Sequence, residues 1–156
     1  MGVLDQAIES NERLVNEEGR LDRRSYLASA HVLKTGALLS LGQFEDALSS
    51  VRKGIEMFES LVTQEGRDDL LMHLAMAYSE KGAVLCRFQR IEQALEEIHL
   101  AITILEQLVF DKGRIALGGR LVNAYENSIV ILQHLGRAEE LGEVRRRLEK
   151  VRGQQA

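Results

Sequence analysis

Apolar and polar positions along the chain recur with the period of a helix. From Asp68 to Arg87, the residues Leu71, Leu74, Ala75, Tyr78, Gly82 and Leu85 fall at steps of three and four and form one stripe on a helical cylinder. Ile91 to Phe110 repeats the pattern with Ala94, Leu95, Ile98, Ala101, Ile102, Leu105 and Val109. Strand-like alternation of apolar and polar residues is found nowhere, so the chain reads as all-α. Each stretch of about 20 residues predicts a helix roughly 30 Å long at ~1.5 Å per residue.

The stripes belong to a longer period. Leu14-Val15-x-x-Glu18-Gly19-Arg20 returns as Leu61-Val62-x-x-Glu65-Gly66-Arg67 and again as Leu108-Val109-x-x-Lys112-Gly113-Arg114, at a constant step of 47 residues. The same step carries Leu27 to Leu74 and Leu121, Ala30 to Ala77 and Ala124, Leu38 to Leu85 and Leu132, and Ile8 to Ile55 and Ile102. Residues 14–60 and 61–107 are identical at 16 of 47 positions without a gap. A unit of this size buries its apolar face by stacking on its neighbours. One domain, 1–156, is expected: a partial repeat at 1–18, then repeats at 19–65, 66–112 and 113–156, the last closing in a capping helix.

Turn residues agree with this division. Gly19, Gly66 and Gly113 follow each long second helix, where a left-handed residue releases the chain. Asp22, and Asp68 or Asp69, are then placed to cap the next helix, whereas the third copy has Ile115 and Ala116 instead. Gly42 and Gly136 predict the tight turn within a helix pair, with Gln89 in their place in the middle copy. Gly36, Gly54 and Gly82 fall inside helices, where the cost of about 1 kcal/mol against Ala is tolerable if two helices cross closely.

The ends extend the pattern. Residues 1–18 align with the last half of a second helix, so the array starts mid-repeat; the expectation is a chain cut from a longer protein, the other reading being an unpaired cap helix. Ala138 to Arg152 keeps only a narrow stripe of Leu141, Val144, Leu148 and Val151, with the polar outer face of a terminal repeat.

Tyr78-x-x-Lys81-Gly82-x-x-Leu85 followed by Ala94-x-x-x-Ile98-x-x-Ala101 resembles the signature of the tetratricopeptide repeat, in the long form of bacterial proteins with recurring LV..EGR.DL..LA.AY..KG..L units. Two departures are the length, against ~34 residues in the common form, and a Glu-Gly-Arg turn in place of the terminal Pro. The resemblance implies a right-handed α-α superhelix of antiparallel helix pairs, about seven helices in all. It also implies a non-catalytic interaction scaffold whose concave groove takes a peptide or helix of a partner protein.

By that resemblance the groove is lined in the first repeat by Ser29, Val32, Leu33, Gly36, Leu39 and Ser40. In the second it is lined by Met76, Ser79, Glu80, Ala83, Cys86 and Arg87. In the third the positions are Asn123, Glu126, Asn127, Val130, Gln133 and His134. The lining begins apolar and small and ends with amides. Apolar burial, with Leu39 and Met76 central, would give affinity, and Asn123, Asn127 and Gln133 would fix orientation. The two-carboxylate clamp of chaperone-binding relatives is missing, because Val32, Gly36 and Glu80 stand where cations or amides are wanted.

Composition removes other classes. A net charge of −4 and a pI near 5.6 lack the basic excess of a nucleic-acid binder. No apolar run approaches the ~18 residues of a membrane span, and the early acids of MGVLDQAIESNERLV do not suit a signal peptide. With Cys86 alone, no internal disulfide forms and nothing asks for an oxidising compartment, so a cytoplasmic location is expected. The absence of Pro and only 4% aromatic residues again favour helix throughout.

Candidate chemistry is sparse. His31, His73, His99 and His134 show no metal-ligand spacing, and His31 takes the slot of Tyr78 and Tyr125, which packing explains. Cys86 has no neighbour placed to activate it. Gly118-Gly119-Arg120 lacks the preceding strand and the Gly-Lys-Ser/Thr ending of a phosphate loop. Carboxylate pairs at 68–69, 96–97 and 139–140 read as caps or solvated faces. Arg145, Arg146 and Arg147 interleave with acids, which predicts intrahelical ion pairs. No enzyme, cofactor or metal is expected. Two other readings are a homo-oligomer, in which a second copy covers the unfilled edge of the array, and a regulatory sensor segment of a larger protein.

Overall fold

A computed structural model of the protein describes residues 2–17 and 23–155. Seven α-helices and no strand occur among them: α1 Val3–Asn16, α2 Arg24–Ser40, α3 Phe44–Thr63, α4 Leu71–Arg87, α5 Ile91–Glu106, α6 Gly118–Leu135 and α7 Ala138–Gln155. Consecutive helices pack on one another, and α2 also touches α4, so α2–α3, α4–α5 and α6–α7 form stacked antiparallel hairpins. The fold is an all-α helical repeat.

The packing follows the apolar stripes. Leu74 and Leu121 are buried in one continuous core that runs from α2 to α7. Leu27 is equally buried but sits in a small satellite with Ile8 and Ala30, because α1 presents less apolar surface than α3 or α5. Val144, Leu148 and Val151 of α7 close the far end of the main core while the outer face of that helix stays charged.

The three within-pair turns are copies of one another. The N–H groups of Gln43, Arg90 and Arg137 donate to the carbonyls of Leu38, Leu85 and Leu132 at 2.9, 3.0 and 3.1 Å. Each turn passes through a left-handed residue, Gly42 (φ 73°), Gln89 (φ 57°) and Gly136 (φ 67°), so Gln89 holds a conformation that favours glycine. Between pairs, the Arg67 and Arg114 N–H groups reach back to Leu61 and Leu108 at 3.1 and 2.9 Å across Gly66 and Gly113. Gly19 and Asp22 lie outside the described residues.

Three details differ from the sequence reading. Asp68 and Asp69 cap nothing: the chain makes a short 3-10 turn at Asp68–Leu70 before α4, and the two carboxylates pair with Lys112 and Arg67. The second helix of the middle repeat is α-helical only to Glu106 and ends in a π-turn over Gln107–Asp111. Of the three mid-helix glycines, two mark close crossings. A Cβ on Gly54 would sit 2.7 Å from Val32 Cγ2, and one on Gly82 would sit 2.9 Å from Ile98 Cγ1 and 3.2 Å from the Ala94 carbonyl oxygen. Nothing lies within 4 Å of the same atom on Gly36, which faces open space.

Candidate functional site

The first helices of the hairpins, α2, α4 and α6, carry the residues expected to line a groove. None of those positions is buried. Ser29, Val32 and Leu39 of α2 and Met76, Ser79, Glu80 and Cys86 of α4 are half-buried; Leu33, Gly36, Ser40, Ala83 and Arg87 are exposed. On α6, Asn123, Glu126, Asn127, Val130, Gln133 and His134 are all exposed. Leu33 and Val130 keep 64% and 65% of their surface open, which sets them apart from the core positions beside them. Val32, Leu39 and Cys86 instead lean on the main core, so they serve packing as well.

Five of these residues share one cleft of about 170 Å³ between α4 and α6. Met76, Ser79 and Glu80 form one wall over Ala75, and Asn123 and Asn127 form the other over Ala124, with Arg120 at its edge and Leu105 beneath. Ser79 donates its hydroxyl to the Ala75 carbonyl at 3.2 Å, as Ser29 does to Ser25 and Ser40 to Gly36, which leaves these hydroxyl oxygens as acceptors. Burial pushes the Glu80 carboxyl above the usual carboxylate range, and burial likewise raises the Cys86 thiol, which keeps it protonated.

Two expected members do other work. Glu126 turns to the capping helix and accepts from Arg152 at 2.8 Å. Arg87 lies over the Phe44 ring at 5.3 Å, next to the edge-to-face Phe44–Phe88 pair, and so braces the end of the hairpin. Gln133 and His134 lie beyond the cleft. The arginine-rich helix divides its pairs: Arg146–Glu143 and Arg152–Glu149 are intrahelical, whereas Arg147 reaches Glu106 of α5 at 2.9 Å.

Sequence reasoning missed a second series of clefts, built on the slot shared by His31, Tyr78 and Tyr125. Around Tyr78 a cavity of about 340 Å³ is lined by Arg52, Glu59, Lys81 and Glu97. Its counterpart around Tyr125 measures about 280 Å³, with His99, Thr103, Glu143 and Arg147. A third, also about 280 Å³, has His31, Lys34, Ser50 and Lys53. The Tyr78 hydroxyl donates to Glu59 and the Tyr125 hydroxyl to Glu106, and burial followed by these bonds raises both phenols far above their ordinary value. Burial lowers His31 and His99, which keeps both imidazoles neutral. These partners lie 19 or more residues apart, so no local spacing announces them.

Ion-pair choice in this series varies with the copy. Lys34 pairs with Asp5 of α1; at the equivalent positions one repeat on, Lys81 faces Arg52 and turns instead to Glu97 at 2.6 Å. Two repeats on, the positions hold Ser128 and His99, 3.4 Å apart.

Among the described residues, no group of three or more His, Cys, Asp or Glu side chains is placed to hold a metal, and no helix is long and apolar enough to cross a membrane. Fold and cleft together define an all-α helical-repeat protein with a mixed polar and apolar recess between successive first helices. Compared with known proteins, no family model matches the chain and no curated protein is significantly similar to it.

Proposed function

We propose that the chain is a non-catalytic scaffold of the tetratricopeptide kind, a right-handed superhelix that binds a peptide or helix of a partner protein in the cytoplasm. The observation that carries this reading is the shared placement of Met76, Ser79, Glu80, Asn123 and Asn127 on one cleft. Positions that the resemblance assigns to a groove thus line one recess with an apolar floor of Ala75, Leu105 and Ala124, a composition that suits peptide recognition. Leu33 on α2 and Val130 on α6 add exposed apolar side chains to the first helices outside the cleft.

The test is affinity capture from the native host, comparing the unaltered protein with a Leu33→Glu/Met76→Glu variant. Neither side chain leans on the core, unlike Leu39, so the variant is expected to melt as the parent does and to lose its partner. A partner retained by a folded variant would remove the groove from this role. A second reading, assembly with another copy through α1 and α2, is favoured by the open side chains of Val3 and Tyr26. Light scattering across a concentration series decides it, a mass that stays monomeric being the contrary result.

A further inference from the structure

Glu80 has no structural reason for its charge, and this inference rests on the groove reading above and narrows it. Its counterparts one repeat away are Leu33 and Asn127, so the repeat itself does not require an acid there. The residues three and four away on α4 are Met76, Ala77, Ala83 and Val84, none of them a cation that could pair along the helix. The half-buried acids of α3 and α5 are partnered: Glu59 by Tyr78, Glu97 by Lys81 and Glu106 by Tyr125 and Arg147. Glu80 has no hydrogen bond or ion pair with any described residue. Half-buried and unpaired, its carboxylate loses hydration without compensation.

Arg120 breaks a second local rule in the same cleft. It sits in the first turn of α6, where the helix dipole disfavours a cation, and it too has no ion-pair partner among the described residues. Its counterparts are the uncharged Tyr26 and the aromatic His73. Charges that local structure opposes are expected where a ligand uses them.

We propose that the α4–α6 cleft captures a peptide segment of a partner protein through one basic side chain, Lys or Arg, whose head meets Glu80 while its methylene stem lies along Met76. A volume of about 170 Å³ falls below the ~300–1,000 Å³ of small-molecule sites and suits a single long side chain. Arg120 then takes a carbonyl or carboxylate of the same segment. An acidic side chain at the central position is refused by Glu80, which gives the groove its selectivity. Because the bound cation favours ionised Glu80, affinity is full above the raised value of that carboxyl and is lost as pH falls through it.

A phage-displayed library of random short peptides is panned on the full chain, and only peptides that fail to bind an uncharged Leu33→Asn/Met76→Asn variant are kept. The expected peptides share a Lys or Arg at one position. Made synthetically, a lysine-bearing peptide should lose about ten- to a hundredfold in affinity on Glu80→Gln, and as much when its Lys is replaced by norleucine. The two losses should not add, since each removes the same contact. Glu80→Gln should melt at or above the parent temperature, which shows that the fold is intact. Groove-directed peptides that ignore both changes overturn the assignment of Glu80 and leave the groove reading in place. A library that yields no groove-directed peptide overturns both.

Discussion

The Tyr78 hydroxyl on α4 donates to the Glu59 carboxylate on α3, and one repeat later Tyr125 on α6 makes the same bond to Glu106 on α5. The pair ties each hairpin to the one before it, across the interface that the apolar stripe fills. In the first repeat His31 takes the tyrosine slot and Glu12 of α1 is close enough to act on it electrostatically, so the same two positions face each other three times.

Removing one hydroxyl leaves a half-buried carboxylate short of a donor. Tyr78→Phe and Tyr125→Phe should each destabilise by about 1–2 kcal/mol, lowering the melting temperature by roughly 2–8 °C. The double variant should show close to the sum in a thermal melt, because the two bonds share no partner. Both phenols are raised in the folded state, so the stability they contribute is complete below about pH 10 and is lost as pH climbs past that value. Tyrosinate absorbance should show Tyr78 and Tyr125 ionising only with alkaline unfolding.

Gln89 occupies the left-handed corner that Gly42 and Gly136 occupy in the other hairpins. Gln89→Gly should therefore stabilise by about 0.5–1 kcal/mol, against the usual direction of a glycine substitution. Chemical denaturation with an unchanged slope is the measurement, and a loss of stability would be the contrary result.

Gly36 and Gly82 should respond oppositely to the same change. Gly36→Ala adds a methyl in open space on a helix and should stabilise by about 0.5–1 kcal/mol. Gly82→Ala drives a methyl against Ile98 and the Ala94 carbonyl and should cost about 1–3 kcal/mol. Paired melts of the two variants give the sign directly.

Acid should loosen the protein before carboxylates in their usual range titrate. His31 is held below its ordinary value by burial and then by Lys53, partly opposed by Glu12, and His99 by burial, partly opposed by Glu140. A lowered histidine binds its proton more readily when unfolded, so stability present above about pH 6.5 declines as pH falls toward the folded values. Melting temperature measured across that window should drop, and His31→Gln with His99→Gln should flatten the curve. Imidazole resonances that titrate at or above the ordinary value would contradict this.

Much of the fold was legible in the chain because burial recurs locally. Leu74, Leu121 and Tyr125 are core residues in the structure for the reason their spacing suggests, one face of each helix being closed by its neighbour. The turn at Gln89 was legible too, since its two glycine counterparts mark the corner. That Met76 and Asn123 line a recess was an expectation from the resemblance alone, since the apolar period does not single them out. The departures have their own causes. Asp68 and Asp69 leave the helix start because cations on Lys112 and Arg67 hold them. Glu126 leaves the groove because Arg152, 26 positions later, reaches across from α7.

The 47-residue step, the helix pairs and the identity of the core positions were determined by the sequence alone, since apolar periodicity is a short-range property repeated three times. Tertiary structure decided which charges pair, which stay unpaired and where the chain leaves a recess. Lys34 and Lys81 stand at the same place in their repeats yet choose different helices, and Glu80 is left without a partner among the described residues. Long charged side chains select partners by proximity in space, across helices that the local pattern cannot order.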